Sequence, residues 1–321
     1  MQRIYILLCL MILLAGTGCD PKEQPDASVT GKYRVVTTIG MITDVVKNVG
    51  GDRVEVVGLM GPGVDPHLYK ASAGDVQKLD SASLIFYNGL HLESKMGDLL
   101  NVGKYRDKTF AVTDAADRSL LLTPPEFEGQ YDPHLWFDVT LWMQAVGKVR
   151  DVLSEFDSDN TLMYWSNAER YLAKLAELHE YVKAQVERVP SEQRVLVTAH
   201  DAFNYFGKAY GFEVRGLQGI STATEAGIAD VQALATFIAE RQIPAIFVES
   251  SVSTRSLEAV KAAVKSKGFE VKIGGELFSD AMGSEGTPEG TYIGMVRHNI
   301  DTIVKALVGK STATSSSTTE Y

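Results

Sequence analysis

Cysteine is nearly absent from this chain of 321 residues, which contains only two. Cys9 lies inside an apolar run near the N-terminus, and Cys19 follows that run closely. Once such a run is removed during export, the mature chain keeps only Cys19 and can form no internal disulfide. A metal ion bound by this chain must therefore use His, Asp or Glu as its ligands.

Clusters of basic residues and several enzyme motifs are also missing. The formal net charge is −10, and no block of Lys and Arg stands anywhere in the sequence, so we expect no nucleic-acid partner. An acidic chain is compatible with a cationic ligand, but the same acidity keeps many proteins soluble. We find no G-x-G-x-x-G, G-x-x-x-x-G-K-S, G-x-S-x-G or H-E-x-x-H pattern, which argues against the enzymes that those motifs mark.

The N-terminus has the layout of an export signal. Arg3 precedes the apolar run Ile4 to Ala15, which is too short to span a bilayer of roughly 30 Å. Small residues then lead to Cys19, as in a bacterial lipoprotein signal in which the Cys becomes the lipidated first residue. Because Gly16 stands where Leu is usual, cleavage without lipid is the alternative. We expect an exported protein, periplasmic or at the cell surface, that is anchored to the membrane through Cys19.

The rest of the chain predicts an α/β fold of two lobes, with mostly parallel sheets flanked by helices. Short β-branched runs alternate with amphipathic segments; the predicted strands are 34–39, 54–57, 83–87, 194–198, 245–249 and 270–273. A stripe of apolar residues at helical spacing predicts one long helix between the lobes. The expected divisions are a signal (1–19), a flexible tether (20–31), an N-terminal lobe (32–159), a linking helix (160–190), a C-terminal lobe (191–310) and a disordered tail (311–321).

One tetrapeptide occurs twice. Asp65-Pro66-His67-Leu68 and Asp132-Pro133-His134-Leu135 both follow turn-rich segments. Proline before each His fixes the backbone angle, so we expect two loop-to-helix junctions that present two histidines in the same manner. A single loop His is usually a surface residue, but the repeat favours a ligand role.

Candidate ligands in the C-terminal half follow predicted strands. His200 comes directly after the strand that starts at Arg194, and Asp280 lies in the loop after the last strand, where it is either a ligand or a turn residue. Glu249 ends another strand and is either a hydrogen-bond acceptor for a ligand His or an ordinary carboxylate of the crevice. His91 is a spare candidate.

Three imidazoles and one carboxylate form a donor set that suits zinc. Four protein ligands leave no open position for a water nucleophile, so the sequence predicts a binding site and no enzyme. A metallohydrolase with an open metal position is a remote alternative.

The chain resembles the TroA-like substrate-binding proteins of zinc and manganese ABC transporters. The resemblance covers about 32–310 and rests on stretches that begin at Val36, Gly58, Asn88, Asp132, Val197 and Gly275. It implies two lobes joined by a rigid helix with limited movement on binding, and His67, His134, His200 and Asp280 as ligands. It also implies Zn²⁺ or Mn²⁺ as the transported ion and an ABC permease as the partner. We expect a monomer.

Two features bear on the choice of metal. The segment Leu122 to Tyr131 is short and contains no His, whereas zinc-dedicated members often carry a His-rich loop there. Manganese-dedicated members usually have Glu where this chain has His200, so the three-His set leans toward zinc while manganese or iron stays open. A surface adhesin that binds a host molecule and carries a structural metal is the competing interpretation.

Overall fold

The computed structural model describes residues 31–101, 103–127 and 129–308. The predicted signal (1–19), all but the last residue of the tether (20–31) and the tail (311–321) lie outside the described residues. Within the described ranges, no helix combines the length and the apolar character that a membrane span requires.

The N-terminal lobe contains a parallel sheet. Its elements are β1 (Tyr33–Thr37), α1 (Gly40–Gly50), β2 (Val54–Gly58), α2 (Ala73–Asp80), β3 (Leu84–Tyr87), α3 (Gly97–Asn101), β4 (Thr109–Ala111) and α4 (Val139–Phe156). The strand order is β2-β1-β3-β4, and every pair is parallel. Val35, Val36 and Ile85 are fully buried, as expected for central strands that are covered on both faces.

The C-terminal lobe has two parallel strand pairs. Its elements are β5 (Val195–His200), α6 (Asn204–Tyr210), β6 (Glu213–Gln218), α7 (Ile228–Arg241), β7 (Ala245–Glu249), α8 (Arg255–Ser266), β8 (Lys272–Leu277) and α9 (Tyr292–Val308). β5 pairs with β6, β7 pairs with β8, and β5 also contacts β7. The carboxyl ends of β5 and β7 therefore lie side by side.

The long helix α5 (Thr161–Val186) stands between the two lobes in the sequence and contacts both. Its 26 residues bury one apolar stripe, which includes Tyr171, Leu175 and Val182, against α1, α4 and α9. Buried residues from β1 through α5 to α9 form one continuous core. The predicted fold class is confirmed, whereas the residue boundaries of the lobes stay predictions.

The sequence placed one strand wrongly and missed several elements. The last strand is Lys272–Leu277 rather than 270–273, because its two glycines continue the strand. A Cβ at Gly274 would lie 2.7 Å from the Phe247 ring, so the glycine permits close packing there. α4, β4 and β6 are not predicted from the sequence; β4 is only three residues long, and β6 lacks an apolar alternation.

Candidate metal centre

The four predicted ligands surround one point. His67, His134, His200 and Asp280 each offer a donor atom, and all four atoms lie within 4.8 Å of one another. The Nε2 atoms of His67 and His134 are 3.3 Å apart. Asp280 Oδ2 lies 3.6 Å from His67 Nε2 and 3.3 Å from His200 Nε2, while Oδ1 lies 3.5 Å from His134 Nε2. All four side chains are buried, so the group is closed off from bulk water.

The two repeated tetrapeptides form the same local turn. The His67 amide donates to Asp65 Oδ1 at 2.8 Å, and the His134 amide donates to Asp132 Oδ1 at 3.0 Å. A side-chain oxygen that accepts from the backbone two residues later is the usual behaviour of Asp in turns. The expected junction with a helix is wrong for His67, because α2 begins only at Ala73. His134 directly precedes a single 3₁₀ turn, Leu135–Phe137.

The C-terminal lobe presents its donors at strand ends. His200 is the last residue of β5, Glu249 is the last residue of β7, and Asp280 follows β8 after a short loop. Carboxyl ends of parallel strands meet at one edge of a sheet, where ligands of α/β proteins usually bind. This edge faces the two turns of the N-terminal lobe.

Two of the imidazoles are oriented by carboxylates. Glu249 Oε1 accepts from the amides of Ala199 and His200, and Oε2 lies 2.6 Å from His200 Nδ1. Asp132 Oδ1 lies 2.7 Å from His134 Nδ1. An Nδ1–H that donates to a carboxylate leaves the Nε2 lone pair free to bind a cation. The sequence suggests this role for Glu249 and not for Asp132, although the repeat that contains Asp132 was the available signal.

The centre holds polar atoms that the described part of the chain leaves without a hydrogen bond. These atoms are His200 Nε2 and both carboxylate oxygens of Asp280. Buried polar groups are normally paired, so orphaned polar atoms that converge on one point fit a site that binds a cation.

Charges within the centre shift its pKa values in opposite directions. Burial lowers the pKa of His67 to about 3. Burial also opposes the charged form of His200, but the carboxylates of Glu249 and Asp280 outweigh it and raise the pKa of His200 well above its usual value. Burial favours the neutral form of Asp280, but the three imidazoles, His200 foremost, hold the pKa of its carboxyl below the usual range. The centre therefore keeps a negative carboxylate beside neutral and proton-binding imidazoles.

Aromatic side chains and hydrogen bonds seal the surroundings of His134. The Trp136 ring lies 5.2 Å from the His134 ring, and its Nε1 donates to Ser279 O at 3.1 Å. Tyr292 donates to Trp136 O at 2.7 Å, and Tyr205 donates to Asp132 O at 3.0 Å. These bonds join the N-terminal lobe to the C-terminal lobe and leave little room around His134.

The spare histidine lies elsewhere. His91 is exposed, has a positive φ of 66°, and does not belong to the group of four. His179 and His298 are also outside the group.

Comparisons with known proteins agree on one family. Residues 35–306 match the profile of the ZnuA family, which is described as zinc-uptake complex component A periplasmic. The zinc-binding protein TroA of Treponema pallidum is 54% identical over 308 residues, which cover 96% of this chain and 99% of that protein. The manganese-binding lipoprotein MntA of Bacillus subtilis is 47% identical over 308 residues, 96% of this chain and 100% of that protein.

Solved structures give the same answer for the fold. The structure of the periplasmic zinc-binding protein TroA from Treponema pallidum superposes with a TM-score of 0.83 at 53% identity, covering 86% of this chain and 99% of that chain. A match over most of the chain at this identity establishes more than a shared fold. The chain belongs to the ZnuA family of zinc-uptake complex component A proteins, with which the TroA-like resemblance of its sequence agrees.

Proposed function

We propose that this protein captures one divalent transition metal ion between its lobes and delivers it to an ABC permease for uptake. The observation that carries the proposal is the convergence of three imidazole nitrogens and one carboxylate within 4.8 Å, all buried. His67, His134, His200 and Asp280 are the proposed ligands. The ion is cargo, and we propose no catalytic step.

The donor set supports zinc first and manganese second. Tetrahedral zinc binds imidazole nitrogen at about 2.0–2.1 Å, which places neighbouring donors about 3.3 Å apart. The recorded distances from Asp280 oxygens to the imidazoles, 3.3 to 3.6 Å, are close to that spacing. Nitrogen-rich sites bind zinc more tightly than manganese, although supply in the cell also decides occupancy. The names of the relatives do not decide between the two metals, because one relative is named zinc-binding and another manganese-binding.

The proposal also covers the cellular location and the oligomeric state of the protein. The relatives named lipoproteins support export and a lipid anchor, for which Cys19 is the proposed site. We propose a monomer that meets its permease at the membrane surface. The adhesin interpretation is not favoured by the names of the relatives, which refer to metal binding and transport.

The test measures the metal content of the purified protein and then its affinity for each metal by competition. Protein purified without chelator is analysed for metal, stripped, and titrated with Zn²⁺ and Mn²⁺ against a chromophoric chelator. We expect about one tight equivalent in the native protein and in His298→Ala, whose imidazole lies outside the group, and none in His200→Ala. Absence of tight binding for both ions in the native protein would refute the proposal.

A further inference from the structure

A cavity of about 280 Å³ lies between the lobes, and one of the proposed ligands lines it. One wall comes from α1, another from β2 and the turn that follows it, and the third from the loop that runs from Asp280 to Gly290. Of the four proposed ligands, Asp280 lines this cavity. None of the aromatic residues that seal His134 does so, which distinguishes this side of the centre from the closed side.

Two buried carboxylates belong to residues that line the cavity. Asp280 is 1% exposed, and both of its carboxylate oxygens lack a hydrogen bond in the part of the chain that the structure describes. Asp44 adds a second buried carboxylate to the wall, where the Tyr171 hydroxyl donates to it at 2.6 Å. Low-dielectric walls that bear carboxylates concentrate a cation near the ligands.

An ion pair stands at the solvent side of the same cavity. Lys47 Nζ in α1 lies 2.6 Å from Glu285 Oε1 in the Asp280–Gly290 loop, and both residues line the cavity. Their side chains are 48% and 87% exposed, whereas Asp280 at the inner end is buried. The pair therefore ties the N-terminal lobe to the loop that carries one of the ligands.

We propose that this cavity is the route by which the divalent cation reaches and leaves the centre, and that the Lys47–Glu285 pair slows exchange by holding the loop against α1. The inference rests on the proposed function, because it concerns how the cargo of that site moves. It adds a path and a rate-controlling contact to the site.

A plug in the cavity is the first test. Gly61 lines the cavity, its φ is not positive, and a Cβ there would meet nothing within 4 Å. Gly61→Leu should slow both zinc association and zinc dissociation by about ten-fold, which corresponds to about 1.4 kcal/mol of added barrier. The dissociation constant should not change, because a plug alters the path and not the end states. Stopped-flow transfer of zinc to and from a chromophoric chelator measures both rates.

A matched glycine provides the control. Gly97 also has open space around an added Cβ, lies at the start of α3 and does not line the cavity. Gly97→Leu should exchange zinc at the native rates. If Gly61→Leu also exchanges zinc at the native rates, the cavity is not the route.

Opening the ion pair is the second test and does not depend on how Gly61→Leu folds. Glu285→Gln should speed zinc release by up to about five-fold, the range expected for an exposed pair, and the gain should shrink as salt is added. Glu180→Gln, which breaks the exposed pair of Glu180 with Lys183 on α5, should leave the rate unchanged. Native release from Glu285→Gln at low salt would overturn the role of the pair.

These outcomes separate the route from the function. A native protein that binds no metal refutes the proposed function. A native protein that binds zinc tightly, with unaltered exchange in Gly61→Leu and Glu285→Gln, refutes the route and leaves the function standing.

Discussion

The turn that carries His67 and the turn that carries His134 share the sequence Asp-Pro-His-Leu. In both, the His amide donates a hydrogen bond to the Asp carboxylate. Their surroundings differ. The leucine that follows His134 is 2% exposed, and the leucine that follows His67 is 49% exposed. Identical tetrapeptides thus form one buried turn and one turn that borders solvent.

The hydrogen bonds that support the two turns differ in the same sense. Asp132 Oδ1 lies against the ring of its own His and Oδ2 accepts from Asn204 of the C-terminal lobe at 3.1 Å, while Pro133 O accepts from Asn88 of the N-terminal lobe at 3.0 Å. Asp65 Oδ2 accepts from Thr222 at 2.6 Å. The comparison teaches that the tetrapeptide specifies the local turn, whereas packing decides how firmly the turn holds its imidazole. Of the two proposed ligands, we therefore expect His134 to be the fixed one and His67 the adjustable one.

Removing each imidazole should have the largest effect. Loss of a hydrogen bond that supports a ligand weakens metal affinity by up to about 100-fold. His67→Ala and His134→Ala should both weaken zinc affinity by more than that. Only His134→Ala should also destabilise the metal-free protein, by about 1–3 kcal/mol, because it leaves the Asp132 carboxylate buried without its imidazole partner. Competition titration and thermal melting check the two results. Equal melting temperatures for the two variants would contradict the distinction between fixed and adjustable ligands.

Substitution of the two Asp residues by Asn should have the next largest effect. Asp132→Asn replaces the carboxylate that orients the His134 ring and should weaken zinc binding by about 10- to 100-fold. Asp65→Asn retains an oxygen for the His67 amide and should weaken binding by less than ten-fold. Each substitution replaces one carboxylate oxygen by an amide nitrogen, so each variant serves as the control for the other. A larger loss in Asp65→Asn than in Asp132→Asn would reverse our ranking.

Protons should compete with zinc at His200 but not at His67. Because the pKa of His67 is lowered to about 3, its ring is neutral at pH values near neutrality. The pKa of His200 is raised, so a cation must displace a proton there at neutral pH. Affinity for zinc should therefore fall as pH falls, by about ten-fold per pH unit for each displaced proton. Titrations between pH 8 and 5 in matched ionic strength measure the slope, and a flat profile would contradict this assignment.

The smallest expected effect concerns the hydrogen bond that Thr222 of the C-terminal lobe donates to the His67 turn. Thr222→Val keeps the shape of the side chain and removes the hydroxyl that donates to Asp65. We expect faster amide hydrogen exchange across 64–68, no change across 132–135, and a loss of zinc affinity of about five-fold, in line with one hydrogen bond. Exchange that rises equally in both turns would show that the bond does not act on the His67 turn alone.

Much of the centre was readable from the sequence because its donors occupy positions with local signals. The repeat marked His67 and His134, and strand ends marked His200 and Glu249. The supporting contacts were not readable. Thr222 meets Asp65 across 157 positions, and Lys47 meets Glu285 across 238. Single polar residues in loops have no periodicity, so only the folded chain reveals such partners.

The fold shows the same division between local and distant information. The strands β1, β2, β3, β5 and β7 follow apolar runs that the sequence displays plainly. β6 does not, because Arg215 and Gly216 interrupt its pattern while pairing with β5 still defines it as a strand. Pairing with a neighbour is a tertiary property, and an interrupted strand has no other signature.

The continuous core along α5 has a thermodynamic consequence. Buried residues of β1, α5 and α9 pack in one group, whereas β5, β6, β7, α7 and α8 also share a second group of buried apolar residues. The N-terminal lobe, α5 and α9 should therefore unfold on heating as one cooperative unit. Any cation that binds only the native state then raises the melting temperature of that unit, in proportion to the logarithm of its concentration once binding is saturated.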